Sequence, residues 1–158
     1  MKSRRYTRIL TTAGIIFGFI ALVGYQLSQF ATDASLNHWH NGASGYKAAL
    51  EQQKQSGKSI ALFFHTDWCS SCKNLRETIL SSKEFDRFAQ DLIPVKINPE
   101  MSLEGQRIAD KYRVIGYPTF LIISNNSSKD MRKVTPIRTR LNMAPEKFIA
   151  SCKKALDT

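Results

Sequence analysis

The stretch Ser59-Ile60-Ala61-Leu62-Phe63-Phe64-His65-Thr66-Asp67-Trp68-Cys69-Ser70-Ser71-Cys72-Lys73 joins an unbroken apolar run to two cysteines two residues apart. Ser59 to His65 is short, follows turn residues and does not alternate with polar positions, which suits a strand buried on both faces. A helix is expected from about Cys69, carrying Leu75, Ile79 and Leu80 on one side. On a helical turn, positions i and i+3 lie about 5–6 Å apart. That falls inside the roughly 4.4–6.8 Å Cα separation a disulfide accepts, so Cys69 and Cys72 can open and close without moving the backbone.

Position makes one of these sulfurs reactive. Cys69 sits where unpaired backbone N–H groups and the helix dipole favour a thiolate, and Cys72 lies further in and is the less exposed partner. Lys73 and Arg76 follow Cys69 and Cys72 by one turn and are expected to push the same way. Thiols so placed titrate at roughly 3.5–7.5, against about 8.5 when free. Three other readings compete. A structural disulfide is one, although so short a loop removes little unfolded-state entropy. A metal site needs two more ligands, and His65 is the only tempting one nearby. Covalent haem attachment requires histidine after the second cysteine, where this chain has Lys73. No metal and no cofactor is expected.

Outward from this segment the chain reads as alternating strands and helices. Tyr46, Ala49, Leu50 and Gln53 fall at helical spacing, with Gly57 as a stop. Ser81 or Ser82 caps a short helix through Phe85 and Phe88. Leu92 to Asn98 and Thr119 to Ser124 read as strands. Between them Ser102 to Tyr112 reads as a helix with Leu103, Ile108 and Ala109 inward and Gly105 a weakness. After a turn at 125–128, Met131 to Ile137 returns antiparallel. A last helix begins at Pro145, with Phe148, Ile149, Cys152 and Leu156 as its apolar stripe. This is an α/β layer structure with a mixed central sheet and flanking helices.

The 158 residues, 42% hydrophobic, make one domain with some excess and exclude wholesale disorder. Three cysteines are too few for a disulfide-stapled scaffold or a four-thiolate zinc site. The net charge is +10, of which +4 comes from Lys2, Arg4, Arg5 and Arg8. Residues 9–27 carry no charge and, as a helix at about 1.5 Å per residue, nearly match a hydrocarbon thickness of about 30 Å. The basic flank before them keeps the amino terminus cytoplasmic and sends the rest across the membrane. A cleaved signal is the competing reading, but this core exceeds the usual ~7–15 residues. The expected organisation is a basic flank 1–8, a signal-anchor helix 9–27, a linker 28–43 and a domain 44–158, with the domain on the periplasmic or equivalent side. Gly14 and Gly18 form a small-residue pair that fits helix packing, although glycine is common in such helices anyway. His38 and His40 in the linker are too few for a metal site. A second basic cluster, Lys129, Arg132, Lys133, Arg138 and Arg140, reads as a solvated face, because no aromatic-interleaved nucleic-acid motif accompanies it.

The motif Trp68-Cys69-Ser70-Ser71-Cys72-Lys73 after an apolar strand, with Gly116-Tyr117-Pro118-Thr119-Phe120 some 45 residues later, resembles the thioredoxin superfamily over about residues 44–156. In flavour it resembles exported thioredoxin-like proteins and the C-terminal domain of the membrane electron carrier DsbD. The resemblance implies a thioredoxin fold in which Cys69 is the nucleophile and Cys72 resolves the mixed disulfide. It also implies that Pro118 is cis, that Tyr117 offers its backbone to a substrate strand, and that Trp68 lines the site; from its residues alone, Trp68 reads as half-buried core. Partners would be protein or small-molecule disulfides or dithiols and a membrane electron donor, with an inner-membrane anchor and no nucleic acid. A reductant or relay is expected over an oxidant or isomerase; a non-catalytic binding module, an adaptor or metal chaperone, is the alternative. Where many thioredoxins carry a buried acid six residues before the first cysteine, this chain has Phe63. Asp67, Glu77 or water would have to move the proton instead. His65 reads as a packing residue, and Cys152 as a small buried one.

Overall fold

The computed structural model describes residues 18–20, 36–126, 131–140 and 143–157. The chain divides into two units, 1–35 and 36–158. In the first, residues 18–20 are helical; the rest of the 9–27 run, Gly14 included, lies outside the described residues. Among the described residues no helix is long and apolar enough to cross a membrane.

The second unit runs β1 (His40–Asn41), α1 (Gly42–Ser56), β2 (Ser59–Phe64), α2 (Ser70–Leu75) followed directly by a π-helical turn (Arg76–Leu80), α3 (Lys83–Ala89), β3 (Leu92–Ile97), a 3-10 turn (Pro99–Met101), α4 (Leu103–Lys111), β4 (Thr119–Asn126), β5 (Met131–Ile137) and α5 (Pro145–Leu156). The strands form one mixed sheet in the order β1-β3-β2-β4-β5. β1, β3 and β2 are mutually parallel, and β4 and β5 antiparallel, as expected for the 131–137 return.

β2 lies at the centre, and its side chains alternate between two dry layers. Ile60, Leu62 and Phe64 face Ile93, Val95 and Ile97 of β3 together with Tyr46 and Ala49 of α1 and Ile108 and Ala109 of α4. Ala61 and Phe63 face the other way, toward Phe120, Leu75, Ile79, Phe85, Phe148 and Cys152. Helices on both faces explain why this strand is apolar throughout after Ser59. Phe85 centres the second layer, its ring centroid about 6 Å from those of Trp39, Phe88, Phe120 and Phe148.

Local signals set most boundaries. Gly57 takes the left-handed conformation (φ 71°) and returns its N–H to the Gln53 carbonyl, ending α1. The Ser82 hydroxyl accepts from Phe85 N–H and caps α3. The π turn after α2 reconciles three apolar residues with one core. At about 4.4 residues per turn it brings Leu80 beneath Leu75 alongside Ile79, and all three are buried.

Three expectations are corrected. Residues 36–43 are not tether: Leu36 and Trp39 are buried in the second core layer, and β1 pairs His40 and Asn41 with Val95 and Lys96. Two residues of strand are too short to register as a period, so only the sheet edge reveals them. Leu103 is 77% exposed, because it occupies the first position of α4, before the face carrying Ile108 and Ala109 turns inward. Gly105 is more than a weak point of the helix: a Cβ there would stand 3.1 Å from Ser102 Oγ and 3.4 Å from the Asn98 carbonyl oxygen, so a larger residue would make Ser102 give by a few tenths of an ångström.

The aromatic centre yields the first prediction. Phe85→Ala should lower unfolding free energy by about 3–5 kcal/mol, the usual range for deleting a buried aromatic ring. In urea denaturation the midpoint should fall with the slope unchanged. A loss under about 1 kcal/mol would contradict the packing described.

Candidate active site

The site grows from the C-terminal end of β2. His65 N–H donates to the Ile97 carbonyl at 3.1 Å, carrying the β2–β3 pairing one residue past the strand. The chain then turns, with Cys69 N–H reaching the Thr66 carbonyl at 3.3 Å. Cys69 is the N-cap of α2, with its sulfur in the role usually taken by an oxygen: Cys72 N–H donates to Cys69 Sγ at 3.1 Å. The two cysteines form a disulfide with their Cα atoms 5.2 Å apart, and their residues are only 6% and 3% exposed. Once the bond is reduced, the same N–H donor stabilises a Cys69 thiolate over a thiol.

The cationic help expected from the sequence is weaker than its count of charges. Lys73 Nζ lies 3.8 Å from a Glu77 carboxylate oxygen, one helical turn on, so its charge is shared before it reaches the sulfur.

Opposite the cysteine turn, the Tyr117–Pro118 peptide is cis and leads into β4. The register Phe64↔Thr119 brings this peptide to the same sheet edge as the end of β2. Tyr117 and Pro118 share a groove of about 240 Å³ with Ser71, Asn74 and Leu75 of α2 and with Thr139 and Arg140 beyond β5. Trp68 is 70% exposed and not core. It stands edge-on to the Tyr117 ring at 6.3 Å and donates its indole N–H to both Glu100 carboxylate oxygens at 3.0 and 3.1 Å. Burial chiefly, and then the charges of Glu100 and Asp110, hold the Tyr117 phenol above its ordinary pKa, so it stays neutral at physiological pH.

Phe63, where an acid might stand, is buried and stacks on His65 at 5.2 Å between ring centroids. Asp67 is exposed and accepts a hydrogen bond from the Asn98 amide at 3.2 Å, and Glu77 is held by Lys73. Neither carboxylate is buried beside Cys72. Cys152 is fully buried on α5, and desolvation pushes its thiol up to about 12.

Sequence reasoning missed Asn98 and Glu100. Asn98 is buried and works in two directions: its amide donates to Asp67, while its side-chain oxygen accepts from Glu100 N–H at 3.0 Å. It thereby ties the cysteine turn to the loop that holds Trp68. The one available signal was position, since residues just past the carboxyl ends of parallel strands are where α/β proteins place their sites. Among the described residues no group of three or more His, Cys, Asp or Glu side chains is placed to hold a metal ion.

A mixed sheet that delivers a C-x-x-C disulfide to the mouth of a helix, with a cis-proline entering the neighbouring strand, defines a dithiol–disulfide redox domain. The thioredoxin-like family model matches residues 38–124, more than half of the chain, and the chain belongs to that family. It is similar to the disulfide bond reductase DsbH of Chlamydia pneumoniae, 33% identical over 111 residues; the match takes in 63% of this chain and 64% of that one. Among solved structures it resembles DsbH oxidoreductase with a TM-score of 0.61 and 27% identity, over 76% of this chain and 84% of that one. The oxidised C-terminal domain of DsbD from Neisseria meningitidis superposes at 0.60 and 22% identity, over 74% of this chain and 98% of the domain, a likeness of fold.

Reactivity should divide the three cysteines. After gentle reduction at neutral pH, brief alkylation should modify Cys69 and leave Cys152 untouched until the protein unfolds. Because the folded Cys152 thiol titrates above its unfolded value, its contribution to stability is complete below about pH 9 and is lost as pH rises toward 12. Cys152→Ala should therefore flatten the fall in stability measured by urea unfolding between pH 8 and pH 10, roughly the lower part of that window. Fast native labelling of Cys152 would contradict its burial.

Proposed function

We propose that this protein is a membrane-anchored thiol–disulfide oxidoreductase that works outside the cytoplasm and reduces protein disulfides or relays electrons to them. The observation that carries the redox reading is the Cys69–Cys72 disulfide capping α2, with Cys72 N–H directed at Cys69 Sγ. A bridge closing so short a loop contributes little as a staple, and its position at a helix mouth suits exchange.

In the reductive direction, Cys69 thiolate attacks one sulfur of a substrate disulfide. A Cys69–substrate bond forms, the substrate disulfide breaks, and the released substrate thiolate takes a proton from water. Cys72 then attacks Cys69 Sγ. The Cys69–Cys72 bond forms, the proton of Cys72 passes to solvent, and the second substrate thiol departs. Two electrons and two protons leave the protein's dithiol, and a dithiol donor must restore them. Trp68, Tyr117 and Pro118 are assigned to holding the substrate segment beside Cys69, with the Tyr117 backbone pairing to it.

Anchoring and compartment are supported by the charge-free run 9–27 and the basic residues before it. The direction is supported by the likeness to a relative whose name is disulfide bond reductase.

Insulin reduction driven by dithiothreitol should be accelerated by the wild-type protein and fall to the uncatalysed rate with Cys69→Ser. Equal rates from the two proteins would leave a binding module and remove the enzyme. The equilibrium potential of the pair against glutathione should lie nearer the thioredoxin value of about −270 mV than the strongly oxidising value of about −120 mV. A potential at the oxidising end would reverse the assigned direction. A reporter active only outside the cytoplasm, fused after residue 35, should be active if the anchor reading holds.

A further inference from the structure

The groove beside Pro118 differs in charge from the opposite flank of the site. Near Trp68 two carboxylates are engaged: Glu100 accepts the Trp68 indole N–H, and Asp67 accepts from Asn98. The groove itself is lined by Ser71, Asn74, Leu75, Tyr117, Pro118, Thr139 and Arg140. Among the described residues Arg140 is its one charged lining residue, and no carboxylate lines it. The Arg140 carbonyl accepts from Met143 N–H at 3.3 Å, while its guanidinium is exposed and, among the described residues, has neither an ion-pair nor a hydrogen-bond partner. Arg138 lies two residues before Arg140, beyond the same end of β5, whereas Arg132 and Lys133 pair with Asn125 and Ser124 toward the other end of that strand. An uncompensated cation raises the local concentration of anionic groups, and guanidinium is suited to a fork of hydrogen bonds to carboxylate.

We propose that Arg140 makes this groove selective for a polypeptide disulfide with an acidic side chain next to the attacked cysteine, the carboxylate meeting Arg140 while the Ser71, Asn74 and Thr139 side chains offer hydrogen bonds alongside. The inference deepens the reading given under Proposed function and rests on it. The groove lies against the first turns of α2 and the cis peptide, where the chain flanking a sulfur bound to Cys69 has to pass. An acidic flank gains a charge-assisted hydrogen bond there, and a basic flank meets an uncompensated cation.

Two peptide disulfides, identical except for Glu or Gln beside the cysteine, test this in the full chain. The wild-type protein should favour the Glu peptide in kcat/KM by about fivefold, as expected for a partly exposed charge pair worth about 1 kcal/mol. The ratio should shrink in high salt, approach one in Arg140→Gln and invert in Arg140→Glu. A wild-type ratio of one, or a ratio that survives Arg140→Gln, would overturn the proposal. To separate its failure from that of the enzyme reading, the same peptides with serine for cysteine are titrated against the oxidised protein. A Glu preference in affinity that Arg140→Gln abolishes supports the groove even without turnover, and equal affinities overturn it. Oxidised glutathione brings carboxylates without an extended flanking chain. If its turnover depended on Arg140 as strongly as that of the Glu peptide, the ligand would be a small disulfide and the polypeptide assignment would fall.

Discussion

The site depends on β2 being dry on both faces. With Ile60, Leu62 and Phe64 sealed against one layer and Ala61 and Phe63 against the other, a slip of one residue would exchange two different cores. The strand is thereby locked between β3 and β4, and its lock fixes where everything after it emerges. Phe64 lies across from Thr119, so the cysteine turn and the cis peptide arrive at one edge although some 45 residues separate them. Asn98, one residue past β3, arrives at that edge by the same parallel pairing and joins the cysteine turn to Glu100.

On that edge, ordinary capping becomes chemistry. A helix start must satisfy its free N–H groups, and here Cys69 sulfur accepts one of them. An oxygen in this place would only end a helix; a sulfur gains a preference for the charged, nucleophilic form. Membership of the thioredoxin-like family follows from the matched sequence, and the hydrogen bond from Cys72 N–H to the Cys69 sulfur is the physical reason for proposing that sulfur as the reactive one. The surroundings then divide the labour. Carboxylates on the Trp68 side are occupied in holding loops, and among the described residues Arg140 is the one charged residue lining the groove on the Pro118 side.

Much of this was legible because its causes are local. The 59–65 run, the serine cap before Phe85, the stop at Gly57 and the stripe through Phe148 and Cys152 each read from a few neighbouring residues. The cysteine spacing announced a closable pair for the same reason. Trp68 was different: its apolar bulk suggested burial, whereas Glu100, distant in sequence, ties its polar edge and leaves most of the ring in solvent. Glu100 and Asn98 carry no motif and gain meaning from the strand end that presents them. Gly105 reads as a flaw until α4 is seen against the end of β3.

By itself, then, the sequence determined the longer strands and helices, though not β1, and which two sulfurs can bond, since period, capping and short spacing act within a turn or two. Tertiary structure decided who else attends those sulfurs. The cis peptide, the Asn98 bridge, the Glu100 hold on Trp68 and the placing of Arg140 beside Pro118 depend on sheet register, packing and the orientation of side chains. No local pattern encodes those distances.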